Sequence, residues 1–281
     1  MRFHRGPVNC GTGVRGVGKC GMVSFLEVDG TRLEVERIAG HGAAAGTTLV
    51  FLHEGLGCAG SWRELPAALA EATGCAALVY SRRGYGRSAA APLPRAVTFM
   101  HEEARRVLPA LLEAAGVDDV VLVGHSDGAS IALLHAGSPE STRVRVRGFV
   151  LEAPHVFVEE MCVQAIAALR GAYAGSELQE KLRRRHDDAD AMVEGWTDVW
   201  LHPEFRAWNI EGVLPDVKAP VLVIQGTADE YGTLAQVEAV CAQVQGSAER
   251  LILPAVGHLP HRDRPEEVLH AMSAFVRRLL G

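Results

Sequence analysis

Several things are scarce or missing in this 281-residue sequence, and each absence narrows what it encodes. No apolar run approaches the roughly 20 residues of a membrane span, and the first residues lack the apolar stretch of a secretory signal. A soluble chain is expected. The six cysteines (Cys10, Cys20, Cys58, Cys75, Cys162, Cys241) are scattered and form no Cys-x-x-Cys pair. That argues against a disulfide framework and for a reduced, cytoplasmic setting. Positive charge is not in excess: the net charge is -6, the wrong sign for a nucleic-acid binder. Internal repeats and low-complexity linkers are also missing. The length suits one domain with a sizeable insertion.

Residues 1–21 lack periodicity and read as a flexible extension, with Met22 as a natural start for the folded part. They contain two glycine patterns, Gly11-x-Gly13-x-x-Gly16 and Gly13-x4-Gly18-Lys19-Cys20. Phosphate binding would need a strand before and a helix after them, and neither is predicted. Cys20 also stands where a magnesium-binding Ser or Thr belongs.

What is present centres on residues 120–129. Val120 to Val123 is a short β-branched run of the kind found in buried parallel strands. It continues as Gly124-x-Ser126-x-Gly128 and then as an Ala/Ile/Leu-rich helix over 129–136. A serine on so tight a strand–helix turn holds its hydroxyl clear of the sheet. The backbone N–H after it opens a helix and points at a developing negative charge.

The rest of the chain alternates. Strands are predicted at 23–28, 32–38, 47–52, 75–81, 147–151, 220–225 and 250–253. Helices are predicted at 62–72, 99–115 (kinked at Pro109), 232–244 and 265–280. Such alternation implies βαβ units and a mainly parallel sheet. Residues 155–210 are helical almost throughout and interrupt it, which reads as an inserted cap on a core formed by 22–154 and 211–281.

A nucleophilic serine needs a base, and the base needs an orienting carboxylate. Asp229 follows the strand ending at Gln225, and His258 follows the strand ending at Leu253. Both therefore fall at the sheet edge that carries Ser126, where open α/β sheets place their sites. Glu152, which also ends a strand, is a rival acid, and His261 is a rival base. The second oxyanion donor is expected from the loop after the 47–52 strand, at Gly55, with the Asp127 N–H as its partner.

With these residues the chain resembles the α/β-hydrolase-fold serine hydrolases. The likeness rests on His53-x-Gly55-x-Gly57, Arg83-Gly84-x-Gly86-x-Ser88, Gly124-x-Ser126-x-Gly128, Gly226-x-x-Asp229 and Gly257-His258-x-Pro260. It implies an α/β fold with a mainly parallel eight-stranded sheet flanked by helices, an inserted helical cap, no metal and no organic cofactor. Serine rather than aspartate at the elbow implies acyl transfer, with Ser126, His258 and Asp229 as the triad. The expected partner is a small-molecule ester, with no nucleic acid or membrane, and the chain is expected as a monomer or homodimer. Cleavage of a carbon–carbon bond, a thioester or a lactone uses the same triad, and some relatives serve instead as ligand receptors.

Glu54 stands where relatives commonly carry glycine, and Asp127 follows the nucleophile where many have an apolar or amide side chain. Two carboxylates near the pocket lead us to expect small to medium, mostly uncharged substrates. His125, His155, Trp196 and Trp200 are further pocket candidates, since three of the four tryptophans fall within 155–210. The mixed-charge run from Lys181 to Asp190 reads as a solvated face of the cap. His186 and Asp190 have metal-like spacing but no third ligand.

Overall fold

The structure is a computed structural model that describes residues 24–138 and 144–281. The expectations for residues 1–21, their glycine patterns and Met22 lie outside the described residues. Eight strands form one sheet: β1 (Ser24–Val28), β2 (Thr31–Ile38), β3 (Thr48–Leu52), β4 (Ala76–Tyr80), β5 (Asp119–His125), β6 (Arg145–Glu152), β7 (Val221–Gly226) and β8 (Ala248–Leu253). Their order is β1-β2-β4-β3-β5-β6-β7-β8. The β1–β2 hairpin is antiparallel and joins β4 antiparallel; every later pairing is parallel.

The central strands are apolar on both faces because both faces are covered. In β3, Val50 and Leu52 join one core with Leu122 of β5, while Leu49 and Phe51 join the other with Val121 and Val123. The period of two thus sorts one strand into two cores. Helices α1 (Leu65–Thr73) and α10 (Pro265–Leu280), the latter following the short helix α9 (Pro260–Asp263), cover the second core. The first core is covered by α2 (Phe99–Glu102), α3 (Leu108–Ala115), α4 (Asp127–Ala136) and α8 (Leu234–Gln243).

Two helix predictions change. The 62–72 helix divides into a 3-10 turn, Ala59–Trp62, and α1, because Arg63 between them has φ 53 and cannot continue a right-handed helix. The kink expected at Pro109 becomes a π turn, Glu103–Val107, just before α3. A wider turn absorbs the hydrogen bond that proline cannot donate.

Between β6 and β7 the chain makes α5 (Glu160–Ala172), α6 (Glu177–Arg183) and α7 (Ala189–Trp200) before a short bridge, Phe157 to Asn209, closes the excursion. From this excursion Trp196, Val199, Trp200 and Phe205 enter the same core as β3 and β5. Among the described residues no helix is long and apolar enough to cross a membrane.

Candidate active site

The turn from β5 to α4 is the tightest close approach in this part of the fold. A Cβ on Gly124 would stand 2.5 Å from the Gly128 carbonyl, and one on Gly128 would collide with the Leu52 carbonyl at the end of β3. Only glycine lets strand and helix meet there. Ser126 between them takes φ 54, ψ -119, a costly conformation for a residue with a Cβ. Its N–H is tied to the Glu152 carbonyl at 2.8 Å. Because α4 begins at Asp127, that residue's N–H is among those a helix leaves without an internal partner.

His258 and Asp229 come together from the loops after β8 and β7. His258 Nδ1 lies 2.8 and 2.9 Å from the two Asp229 carboxylate oxygens. Asp229 also accepts from Gln225 Nε2 at 2.8 Å and from the Tyr231 N–H at 2.8 Å. Burial works against its charge, but the His258 contact and then the Tyr231 N–H hold its carboxyl below the usual range. Ionised Asp229 thus directs the Nδ1 proton of His258 inward and leaves Nε2 as the basic atom. Ser126, His258 and Gly55 line one cavity of about 660 Å³.

The loop after β3 is braced from behind. Arg82, buried, donates to the His53 carbonyl and, at 3.0 Å, to the Glu54 carbonyl. His53 Nε2 accepts from the Arg82 N–H at 3.1 Å, so its Nδ1 carries the proton that reaches the Glu54 carbonyl at 2.7 Å. Trp196 of α7 lies directly on Gly55, where a Cβ would strike the indole. The same indole donates to Asp127 Oδ2 at 3.0 Å.

Neither of the two unusual carboxylates is free. Asp127 is fully buried under Trp196, with Arg82 at 4.0 Å; burial pushes its carboxyl above the usual range against the pull of both. Glu54 folds back over Gly57 and faces His125 Nδ1 at 3.6 Å. Burial opposes its charge too, but the contact with His125 prevails and holds the carboxyl well below the usual range. Asp127 is thus turned away from the cavity, while Glu54, with 20% of its side chain exposed, still lines it beside His125.

His125 is buried and lies behind the pocket. Its Nε2 is 2.7 Å from the His258 carbonyl. Burial would lower its pKa, but Glu54 and then Glu152 raise it from 6.5 to about 9. A group raised in the folded state stabilises it fully below its unfolded value and loses that contribution as pH climbs through the folded one. Melting temperature is therefore expected to decline from pH 6.5 to about 9, and Glu54→Gln is expected to flatten the decline. Equal slopes in the two proteins would show that Glu54 does not hold this charge.

The rival acid and base pair with each other. Glu152 accepts from the His261 N–H at 2.6 Å and lies 2.7 Å from His261 Nδ1, all buried. Ligand-type atoms of His125, Glu152 and His261 stand within 4.8 Å of one another. Both Glu152 oxygens and one His125 nitrogen are already hydrogen-bonded, so the cluster works as a polar network. His155 lies against Trp200, with ring centroids 5.2 Å apart, and 5.8 Å from the His258 ring. Burial, then the charge of His258, lowers its pKa to about 3, so it is neutral at physiological pH. His155, Trp196 and Trp200 all line the cavity. His186 Nδ1 accepts from the Gly86 N–H at 2.9 Å, and Asp190 pairs with Arg183 at 2.6 Å, so their shared spacing marks no site.

Sequence reasoning missed Arg82, Gln225 and Tyr231. Arg82 lies in a run of charged and glycine residues that signals a turn, and nothing in that run marks it as buried. The segment from Lys181 is only half described by a solvated face. Arg183 pairs outward, yet Lys181, Arg184 and Arg185 line the cavity.

A family model described as "Alpha/beta hydrolase family" matches residues 49–271. Among solved structures, an esterase from Exiguobacterium antarcticum is 20% identical, covers 91% of this chain and 100% of its own, and gives a TM-score of 0.71. A thermophilic esterase from Thermogutta terrifontis is 20% identical over 92% and 99% of the two chains, with a TM-score of 0.70. An enol-lactonase from Burkholderia xenovorans is 20% identical over 90% and 99%, with a TM-score of 0.69. At such identities the likeness is one of fold.

Proposed function

Because this chain belongs to the alpha/beta hydrolase family, we propose that it cleaves carboxylic esters of small to medium size through an acyl-enzyme on Ser126. Ser126 Oγ attacks the ester carbonyl while His258 Nε2 takes its proton. Asp229 keeps the imidazole in the required tautomer and stabilises the imidazolium. The N–H groups of Gly55 and Asp127 receive the oxyanion. The proton passes to the departing alcohol, and water then releases the acid by the same steps. The steps need no metal or organic cofactor, and the partner is the small-molecule ester itself.

The observation that carries this reading is the pairing of His258 with a triply bonded Asp229 on the same cavity as a serine held at φ 54. Cys162, Ile166, Leu169 and Trp200 give that cavity an apolar wall suited to the acyl chain. Residues 155–210 act as its cap. The test is a chain-length series of p-nitrophenyl esters, followed by labelling with an alkyl phosphonate and peptide mass mapping. Turnover with an optimum at intermediate length is expected, and the label is expected on Ser126. Tight ligand binding by folded protein without turnover would overturn the esterase and favour a receptor.

A further inference from the structure

The steps above leave the mouth of the cavity unused. Five basic side chains stand there: Arg63, Lys181, Arg184, Arg185 and Arg262. They come from three separate places: the turn before α1, the end of α6 with the residues after it, and the short helix Pro260–Asp263 beyond His258. Only two carboxylates, Glu54 and Glu230, line the same cavity, and Glu54 is engaged by His125. Lys181 has Glu177 at 3.3 Å. Among the described residues Arg63, Arg184, Arg185 and Arg262 have no carboxylate partner and no side-chain hydrogen bond, and all four are exposed. Elsewhere some surface arginines pair, as Arg170 does with Asp198 and Arg278 with Glu249, and others such as Arg105, Arg106 and Arg250 do not; what sets these four apart is that they converge on one opening.

On a chain of net charge -6, four unpaired guanidiniums around one opening concentrate a potential of the opposite sign. Arg63 adds a second observation. It holds φ 53, ψ -127, a costly conformation for a non-glycine residue, and its guanidinium makes no internal hydrogen bond that would offset it. Such strain gathers where a side chain must be aimed.

We propose that this rim binds an anionic group, so that the ester carries a carboxylate or phosphate remote from its scissile carbonyl. The inference rests on the serine-hydrolase reading and names its substrate class. Guanidinium forks match the paired oxygens of either anion. The apolar wall accommodates the carbon chain between anion and carbonyl.

Two pairs of esters test it, one for each source of the charge. On the acyl side, p-nitrophenyl hydrogen adipate is compared with p-nitrophenyl hexanoate. On the alcohol side, the hexanoate of 4-hydroxyphenyl phosphate is compared with phenyl hexanoate. At least one anionic member is expected to exceed its neutral match in kcat/KM by about ten-fold or more. The preference is expected to shrink with added salt and to disappear in an Arg184→Glu/Arg185→Glu double variant. Being a ratio within one protein, it is insensitive to partial misfolding. The same pairs are titrated calorimetrically into Ser126→Ala protein, so binding preference is read without turnover. Neutral esters preferred in both pairs, or a preference that survives the double variant, overturns the anion site. Absent turnover with anion-selective binding retains the site and removes the esterase reading.

Discussion

Ser126→Ala is expected to hydrolyse p-nitrophenyl esters at least about 10⁴-fold more slowly than the natural chain while melting at the same temperature. The two halves of this expectation have separate causes. Ser126 Oγ makes no hydrogen bond within the described residues, so its removal leaves no buried group unsatisfied. Alanine carries the same Cβ through φ 54, so the backbone cost of the turn is unchanged. What is lost is the atom proposed to form the acyl-enzyme. Residual activity would come from the oxyanion donors and binding alone. Turnover persisting in the variant would mean that the elbow serine is not the nucleophile. A large fall in melting temperature would mean that the hydroxyl has a structural partner.

The choice between Asp229 and Glu152 is decided by a pair of isosteric changes. Asp229→Asn is expected to cost about 10⁴-fold in kcat, with a smaller loss of stability than Glu152→Gln. The Tyr231 backbone N–H at Oδ1 is fixed, whereas the Gln225 side-chain amide at Oδ2 can turn its unpartnered Oε1 to the new NH₂, so the carbonyl oxygen takes the Oδ1 place. The amide NH₂ is then left facing His258 Nδ1. That forces the imidazole proton onto Nε2, the atom that must accept from the serine. Glu152→Gln is expected to do the reverse. It removes a buried charge that His261 and His125 both face, at a cost of about 3–5 kcal/mol in stability, and leaves kcat nearly unchanged. Burial disfavours the Glu152 charge, but these two histidines hold its carboxyl below the usual range. Steady-state kinetics beside denaturant melts would separate the cases, and exchanged phenotypes would exchange the roles of the two acids.

The central fold was legible because its signals are local. The β-branched run of β5, the glycines at 124 and 128, and the helix that follows need no distant partner to be recognised. Asp229 and His258 were legible from position alone, each at the end of a predicted strand. Glu152 has the same position, and nothing in its neighbourhood tells it apart. The difference lies in His261, 109 residues away along the chain. The rim was illegible for a similar reason. Lys181, Arg183 and Asp190 carry charge partners at helical spacings, which is the pattern of a solvated face. That Arg184 and Arg185 instead border the cavity depends on where the excursion between β6 and β7 comes to rest. The break at Arg63 gave no warning because arginine has no preference for a left-handed turn.

The indole of Trp196 rests on Gly55 and is hydrogen-bonded to Asp127, the two residues proposed to hold the oxyanion. Pocket width and stabilisation of the reacting carbonyl are thereby one trait at this position. A lineage that shortened residue 196 to admit a bulkier substrate would loosen both donors in the same step, losing rate as it gained range. Leu169 and Leu178 line the same cavity from α5 and α6 but pack with Tyr85, Leu182 and Met192 rather than in the core that holds the elbow helix. Substrate range is free to drift through those two while the chemistry stays fixed, so related chains of different appetite should differ there first and at Trp196 last.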